Sequence, residues 1–102
     1  MPRTIAKDSP ISEGVNRRFF EAIETLVNLG KISALESFCT LYDLSAPRYR
    51  EMRLTYGVSP KLGHISRYKN IEIEAIYSLV ANYPISSRWL ITGRGKMLKG
   101  NV

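Results

Sequence analysis

The sequence predicts an all-α domain of five helices, and three observations carry that prediction. Apolar residues recur three and four positions apart along successive stretches, the spacing of one helix face. The stretches are separated by residues that stop helices or make turns, among them Gly30, Asp43, Gly57, Pro84 and Gly93. Residues 33–56, SALESFCTLYDLSAPRYREMRLTY, read as two short amphipathic helices on either side of a polar break at Asp43-Leu44-Ser45. Such a pair is a helix-turn-helix, and the rest of the chain is organised around it.

At 102 residues the chain suits one domain with one core. With 44% hydrophobic and 24% charged residues it reads as globular, not disordered. No apolar run approaches the roughly eighteen residues of a membrane span. The start, MPRTIAKDSP, lacks the apolar centre of a signal peptide, so a cytoplasmic protein is expected. The lone Cys39 has no partner for an internal disulfide and fits a reducing compartment. The net charge of +6 is unevenly placed. Residues 1–44 hold five Lys/Arg against six Asp/Glu, whereas residues 45–102 hold ten against three. That asymmetry points to a polyanion contacting the second half.

Residues 1–11, with Pro2 and Pro10 and little periodicity, read as a flexible arm carrying Arg3 and Lys7. The domain proper is expected over 12–98, with 99–102 as a tail. The first helix should run from Ser12 or Gly14 to Leu29, burying Val15, Phe19, Ala22, Ile23, Leu26 and Val27, and Gly30 stops it. The second begins with a capping box, in which the Ser33 hydroxyl takes the N–H of Glu36 and Glu36 reaches back. It buries Leu35, Phe38, Cys39 and Tyr42 and ends at Asp43, where positive φ is expected. Cys39 reads as a buried structural thiol at the crossing of the two helices.

The third helix starts from an Ser45 cap, holds Pro47 in its first turn, buries Tyr49, Met52 and Tyr56, and fades at Gly57. Residues 57–70 have no clear period and form a long connection carrying Lys61, Arg67, Tyr68 and Lys69. Either this loop meets phosphates or it is solvated, with Ile65 and Tyr68 pinned to the core. The fourth helix should start between Asn70 and Glu72 and end at Tyr83, with Ile73, Ile76, Tyr77, Val80 and Tyr83 inward. Ser86 caps a fifth, Ser87–Thr92, whose Trp89 and Leu90 are buried and which Gly93 stops.

Catalytic chemistry is hard to assemble. His64 is the sole histidine and Cys39 the sole cysteine, so no zinc set and no convincing Ser-His-acid arrangement can be drawn. Gly93-Arg94-Gly95-Lys96 lacks the strand, the glycine spacing and the Ser/Thr of a phosphate loop, since Met97 follows the lysine. We expect no enzyme and no cofactor.

The third helix is the basic one, with Arg48, Arg50 and Arg53 close together, which is what a major-groove reader needs. Residues 38–50, FCTLYDLSAPRYR, resemble the helix-turn-helix of phage repressor-type regulators, the lambda-repressor-like class. Cys39 takes that family's small position, Leu44 and Ser45 its Val-Ser, and Tyr49 its buried aliphatic. Residues 83–98, YPISSRWLITGRGKML, are similar to the ending of phage repressor amino-terminal domains. Asp43 stands where the family's turn glycine is usual, Tyr49 is bulkier, and the loop before the fourth helix is long. The resemblance implies sequence-specific binding of double-stranded DNA by a transcriptional regulator, a repressor of phage or mobile-element type.

Wheel positions then assign roles. Arg50 is the first candidate for a bidentate contact to guanine, and Glu51 for accepting from cytosine N4. Pro47, Ala46 and Leu54 share or border the outer face, with Arg48 and Arg53 beside it. Ser33 and Ala34 are candidates to offer backbone N–H groups to a phosphate, and Lys31, Lys61, Arg67 and Lys69 are further phosphate candidates. The competing account of each exposed arginine is a solvated surface charge. One short helix reads too few base pairs for a unique site, so a weak homodimer assembling on DNA is expected, through Trp89, Ile91, Met97 and Leu98. Two other readings stay open: a protein-interaction module such as an antitoxin or anti-repressor, working through Tyr68, Tyr77 or the tail, and a binder of structured RNA.

Overall fold

The computed structural model describes residues 9–100. Ser9 opens the first helix: its hydroxyl accepts from the Ser12 N–H at 2.9 Å, and Pro10 occupies the first turn, where a missing N–H costs nothing. Helix α1 is therefore Pro10–Asn28, longer at its start than the sequence suggested. Residues 10 and 11 of the expected arm belong to this helix, and residues 1–8, with Arg3 and Lys7, lie outside the described residues. The helices that follow are α2 (Leu35–Leu41), α3 (Ala46–Tyr56), α4 (Ile73–Asn82) and α5 (Ser87–Thr92). The fold is all-α. Among the described residues no β-strand forms, and one isolated antiparallel bridge pairs Ile85 with Leu98.

Helix α1 buries Phe19, Ala22, Ile23 and Leu26 as its spacing demands, together with Phe20 and the polar Asn16. Phe19 is the hub. Its ring meets Phe38 of α2 at 6.0 Å and Tyr49 of α3 at 5.8 Å, so three helices are keyed to one side chain. Phe38 extends the aromatic cluster to Tyr42 at 4.9 Å and Tyr83 at 6.0 Å, and the two tyrosine hydroxyls lie 3.1 Å apart.

The α2–α3 turn closes as the sequence requires. Asp43 takes φ of 59°, and the Leu44 N–H reaches back to the Cys39 carbonyl at 2.8 Å, satisfying a carbonyl at the end of α2. Ser45 caps α3 through the Arg48 N–H at 3.3 Å. At the far end, the Gly57 N–H donates to the Arg53 carbonyl. A Cβ on Gly57 would come within 2.5 Å of that carbonyl oxygen, so the chain leaves α3 on a path that only glycine allows.

One expectation fails here and another holds only in part. The capping box at the start of α2 does not form. The helix begins at Leu35 with Ala34 as its cap residue, and the Ser33 hydroxyl donates to Ser37 Oγ at 2.7 Å. Glu36 turns instead to two arginines of α3, a long-range attraction that no local motif reveals. The expected face of α4 holds only in part: Ile76, Val80 and Tyr83 pack against the core. Ala75, Ser78 and Leu79 are buried, whereas Ile73 and Tyr77 are each 68% exposed. The cause lies before the helix: Ile71 is buried outside it, with its N–H held by Asn16 Oδ1 at 3.1 Å, and so sets the phase 71-75-79.

Helix α5 closes the core with Trp89 and Leu90 buried, Ser86 capping and Gly93 at φ of 78°. Arg18 of α1 completes it, donating from Nε to the Leu90 carbonyl at 2.8 Å and from Nη2 to the Ile91 carbonyl at 3.0 Å. A guanidinium on the last carbonyls of a helix also suits its dipole. Ile85 and Leu98 pair, Ser86 N–H donates to the Met97 carbonyl, and Lys99 N–H to the Pro84 carbonyl. Trp89, Met97 and Leu98, expected on a dimer surface, thus face this chain's own core, leaving Ile91 exposed.

Candidate functional site

The candidate site grows outward from Tyr49. Tyr49, Met52 and Tyr56 are completely or almost completely buried, so the rotation of α3 about its axis is fixed. Residues on the opposite side of a 3.6-residue helix must then face away from the core. Pro47, Arg50, Arg53 and Leu54 are exposed accordingly, and Ala46 is half-buried in the first turn.

One side of α3 faces the connection 57–72 and is densely bonded to it. Glu51 accepts from the Ser66 hydroxyl at 2.6 Å and from the Arg67 N–H at 3.3 Å, and His64 Nε2 lies 3.4 Å from the same carboxylate. Thr55 Oγ1 donates to the His64 carbonyl at 3.1 Å and sits 2.6 Å from His64 Nδ1. The Lys61 N–H donates to the Leu54 carbonyl at 2.8 Å. Tyr49 Oη donates to Glu72 Oε1 at 2.9 Å and accepts from the Glu72 N–H at 3.2 Å. Asn16 anchors the end of the loop, donating from Nδ2 to the Lys69 carbonyl at 2.9 Å.

Arg48 belongs to this side. Its Nη2 donates to the Asn70 carbonyl at 2.9 Å, its Nη1 lies 3.8 Å from Glu72, and its guanidinium stacks 4.7 Å from the Tyr68 ring centre. Arg67 covers the same tyrosine at 5.6 Å while staying exposed. Tyr68 therefore packs against the core as one alternative expected, whereas Ile65 is exposed. Glu51, expected on the outer face as a base reader, is instead half-buried and holds the loop. Its wheel position borders the loop, and the Ser66 hydroxyl and Arg67 N–H arrive from residues that no helical periodicity places.

The other side of α3 faces α2, whose Glu36 lies within ion-pair distance of two of its arginines. Glu36 Oε2 lies 3.9 Å from Arg50 Nη1 and 3.7 Å from Arg53 Nη2, and all three side chains are more than 40% exposed. Ser33 and Lys31 are exposed beyond the start of α2, with Ala34 half-buried between. Beneath this charged rim lies Cys39, fully buried. Burial, and then the charge of Glu36, pushes its thiol up to about 11, with Arg50 and Arg53 opposing. Burial also raises Tyr49, and it raises Tyr83 to about 12.

The structure thus brings Pro47, Arg50, Arg53 and Leu54 onto one exposed surface and leaves Arg48 and Glu51 occupied within the fold. Periodicity and motifs assign no role to Asn16, Thr55 and Ser66, and only a local one to Glu36. Asn16 carried a signal, since a lone polar residue sat beside the apolar stripe of α1. Among the described residues, no group of three or more His, Cys, Asp and Glu is placed to hold a metal ion, and no helix is long and apolar enough to cross a membrane. Comparison with protein-family models, with curated proteins and with solved structures finds no match to this chain.

Proposed function

We propose that this chain binds double-stranded DNA sequence-specifically and regulates transcription, as a repressor of phage or mobile-element type. The observation that carries the reading is the outer face of α3. Buried Tyr49 locks the helix, and Arg50 stands exposed between Pro47 and Leu54 on the surface a groove would meet. The excess of basic residues after residue 44 and the lambda-repressor-like resemblance of residues 38–50 and 83–98 support it. Arg50 reads guanine, Arg53 meets base or phosphate, and Lys31, Lys61 and Arg67 meet phosphates. Two copies assemble on a palindromic operator, because one short helix distinguishes too few base pairs.

Selection from a random duplex pool, followed by gel shift and footprinting, tests this. The expected result is a symmetric site with half-sites roughly 34–36 Å apart. Log affinity should fall linearly with log salt, with Lys61→Ala and Arg67→Ala each making the slope shallower by about one. No duplex enriched at low salt would defeat the reading. One observation favours a different role, a protein-interaction module: Ile73 and Tyr77 lie one turn apart on α4 and are both largely exposed. Failure on all DNA, with Tyr77→Ala abolishing capture of a protein partner, would favour that role.

A further inference from the structure

Three carboxylates bond to or pair with groups on α3 or its neighbouring loop, one of them on α3 itself, and two of the three have structural tasks. Glu72 receives the Tyr49 hydroxyl, and Glu51 holds Ser66 and the Arg67 N–H. Glu36 does neither. It lies on the first turn of α2, where the helix dipole favours a negative charge. It lies 3.9 Å from Arg50 and 3.7 Å from Arg53. Those are ion-pair distances, too long for hydrogen bonds, so the guanidinium N–H donors remain available for another acceptor. Exposed pairs of this kind add little to stability.

We propose that Glu36 is a specificity-determining residue that suppresses binding to non-cognate DNA. The proposal rests on the DNA-binding reading of α3. A carboxylate shared by two arginines reduces the charge that the surface of α3 presents to a phosphate. Non-cognate binding is almost entirely such charge, so it weakens. In the cognate complex the geometry works the other way. A guanidinium has five donors in a planar fork, so Arg50 offers one edge to guanine while its other edge stays steered by Glu36. The same acid therefore opposes the unspecific term and orients the specific contact, which is discrimination by a repulsive element as well as an attractive one.

The test compares the full chain with Glu36→Gln and with Glu74→Gln, a control that removes an equal charge from the exposed surface of α4. Each is titrated on the selected site and on a random duplex across a salt series, with thermal melts to verify folding. For Glu36→Gln the random duplex should bind roughly fivefold tighter at physiological salt, with a slope steeper by about 0.9, the effect of one further phosphate. The selected site should gain less, so the ratio of the two affinities falls. Glu74→Gln should leave that ratio unchanged. An unchanged slope and ratio in Glu36→Gln, or the same changes in Glu74→Gln, overturns the role of Glu36 while wild-type discrimination leaves the DNA-binding reading standing. A wild-type chain that binds neither duplex overturns both.

Discussion

The two sides of α3 are built differently. Toward the 57–72 connection, Arg48, Tyr49, Glu51 and Thr55 are joined to the loop by hydrogen bonds of 2.6 to 3.3 Å, those of Tyr49, Thr55 and Ser66–Glu51 part-buried and those of Arg48 and the Arg67 N–H exposed. Toward α2, Arg50 and Arg53 share one exposed carboxylate at 3.7 to 3.9 Å. Hydrogen bonds shielded even in part are more costly to break than exposed ion pairs, because the groups left behind are less fully solvated. Exposed ion pairs exchange readily with other ions. One helix thus carries arginines of two kinds: Arg48 is committed to the fold, and Arg50 and Arg53 are available to a ligand.

The strongest challenge to this contrast is Tyr49, which serves both the core and the loop side. Tyr49→Ala empties a fully buried site that touches Phe19, and should lower stability by about 3–5 kcal/mol. Tyr49→Phe keeps the ring and removes only the hydroxyl between its two Glu72 contacts, and should cost about 1–2 kcal/mol. Chemical denaturation of both variants checks this. Equal losses would mean that the clasp, not the packing, holds α3.

The arginines separate the sides directly. Arg50→Ala should leave stability within about 0.5 kcal/mol of wild type, as surface changes do. It should weaken cognate DNA by about 1–3 kcal/mol per half-site and relax one symmetric pair of positions. Arg48→Ala should do the reverse first, lowering stability by about 1–2 kcal/mol through the lost Asn70 hydrogen bond and Tyr68 stack. Paired melts and binding titrations decide it, and an Arg50→Ala variant that melts like Arg48→Ala would erase the distinction.

Glu51→Ala tests the loop alone. Ser66 is buried, and its hydroxyl would lose the carboxylate at 2.6 Å. The expected loss is about 1–2 kcal/mol, with faster amide hydrogen exchange at Arg67, whose N–H donates to Glu51. Exchange at Phe38 in α2 should not change.

How far this contrast was legible in the sequence follows from the range of each interaction. Ser45, Asp43, Ser86 and Gly93 act within a few residues of themselves, so caps and turns were readable, as was the buried stripe of α3. Local sequence makes Glu36 half of a capping box, but its attraction comes from Arg50 and Arg53, brought near only when α2 packs on α3. The wheel position of Glu51 points outward, yet its partners arrive from a loop without period. The stripe of α4 is legible only in part, because Ile71, buried before the helix starts, brings Ala75 and Leu79 fully inward and leaves Ile73 and Tyr77 exposed. Periodicity describes an element in isolation, and each of these residues answers to a second element.

The finest probe of the contrast is Cys39, buried under the α2 side. Its thiol ordinarily titrates near 9.0 and is raised to about 11. An acid raised in the folded state keeps its proton there while the unfolded chain loses it. The stability it contributes is therefore complete below pH 9 and is lost as pH rises through about 11. Glu36 adds to the rise, whereas Arg50 and Arg53 oppose it. Glu36→Gln should accordingly lower the thiol pKa and Arg50→Ala should raise it, both read from thiolate absorbance against pH. Tyr83, raised by burial and by Tyr42, should titrate unchanged in both variants. Opposite shifts at one thiol and none at Tyr83 place Glu36 and Arg50 in a single local field. Shifts of the same sign would show that the two charges do not act together on this side of α3.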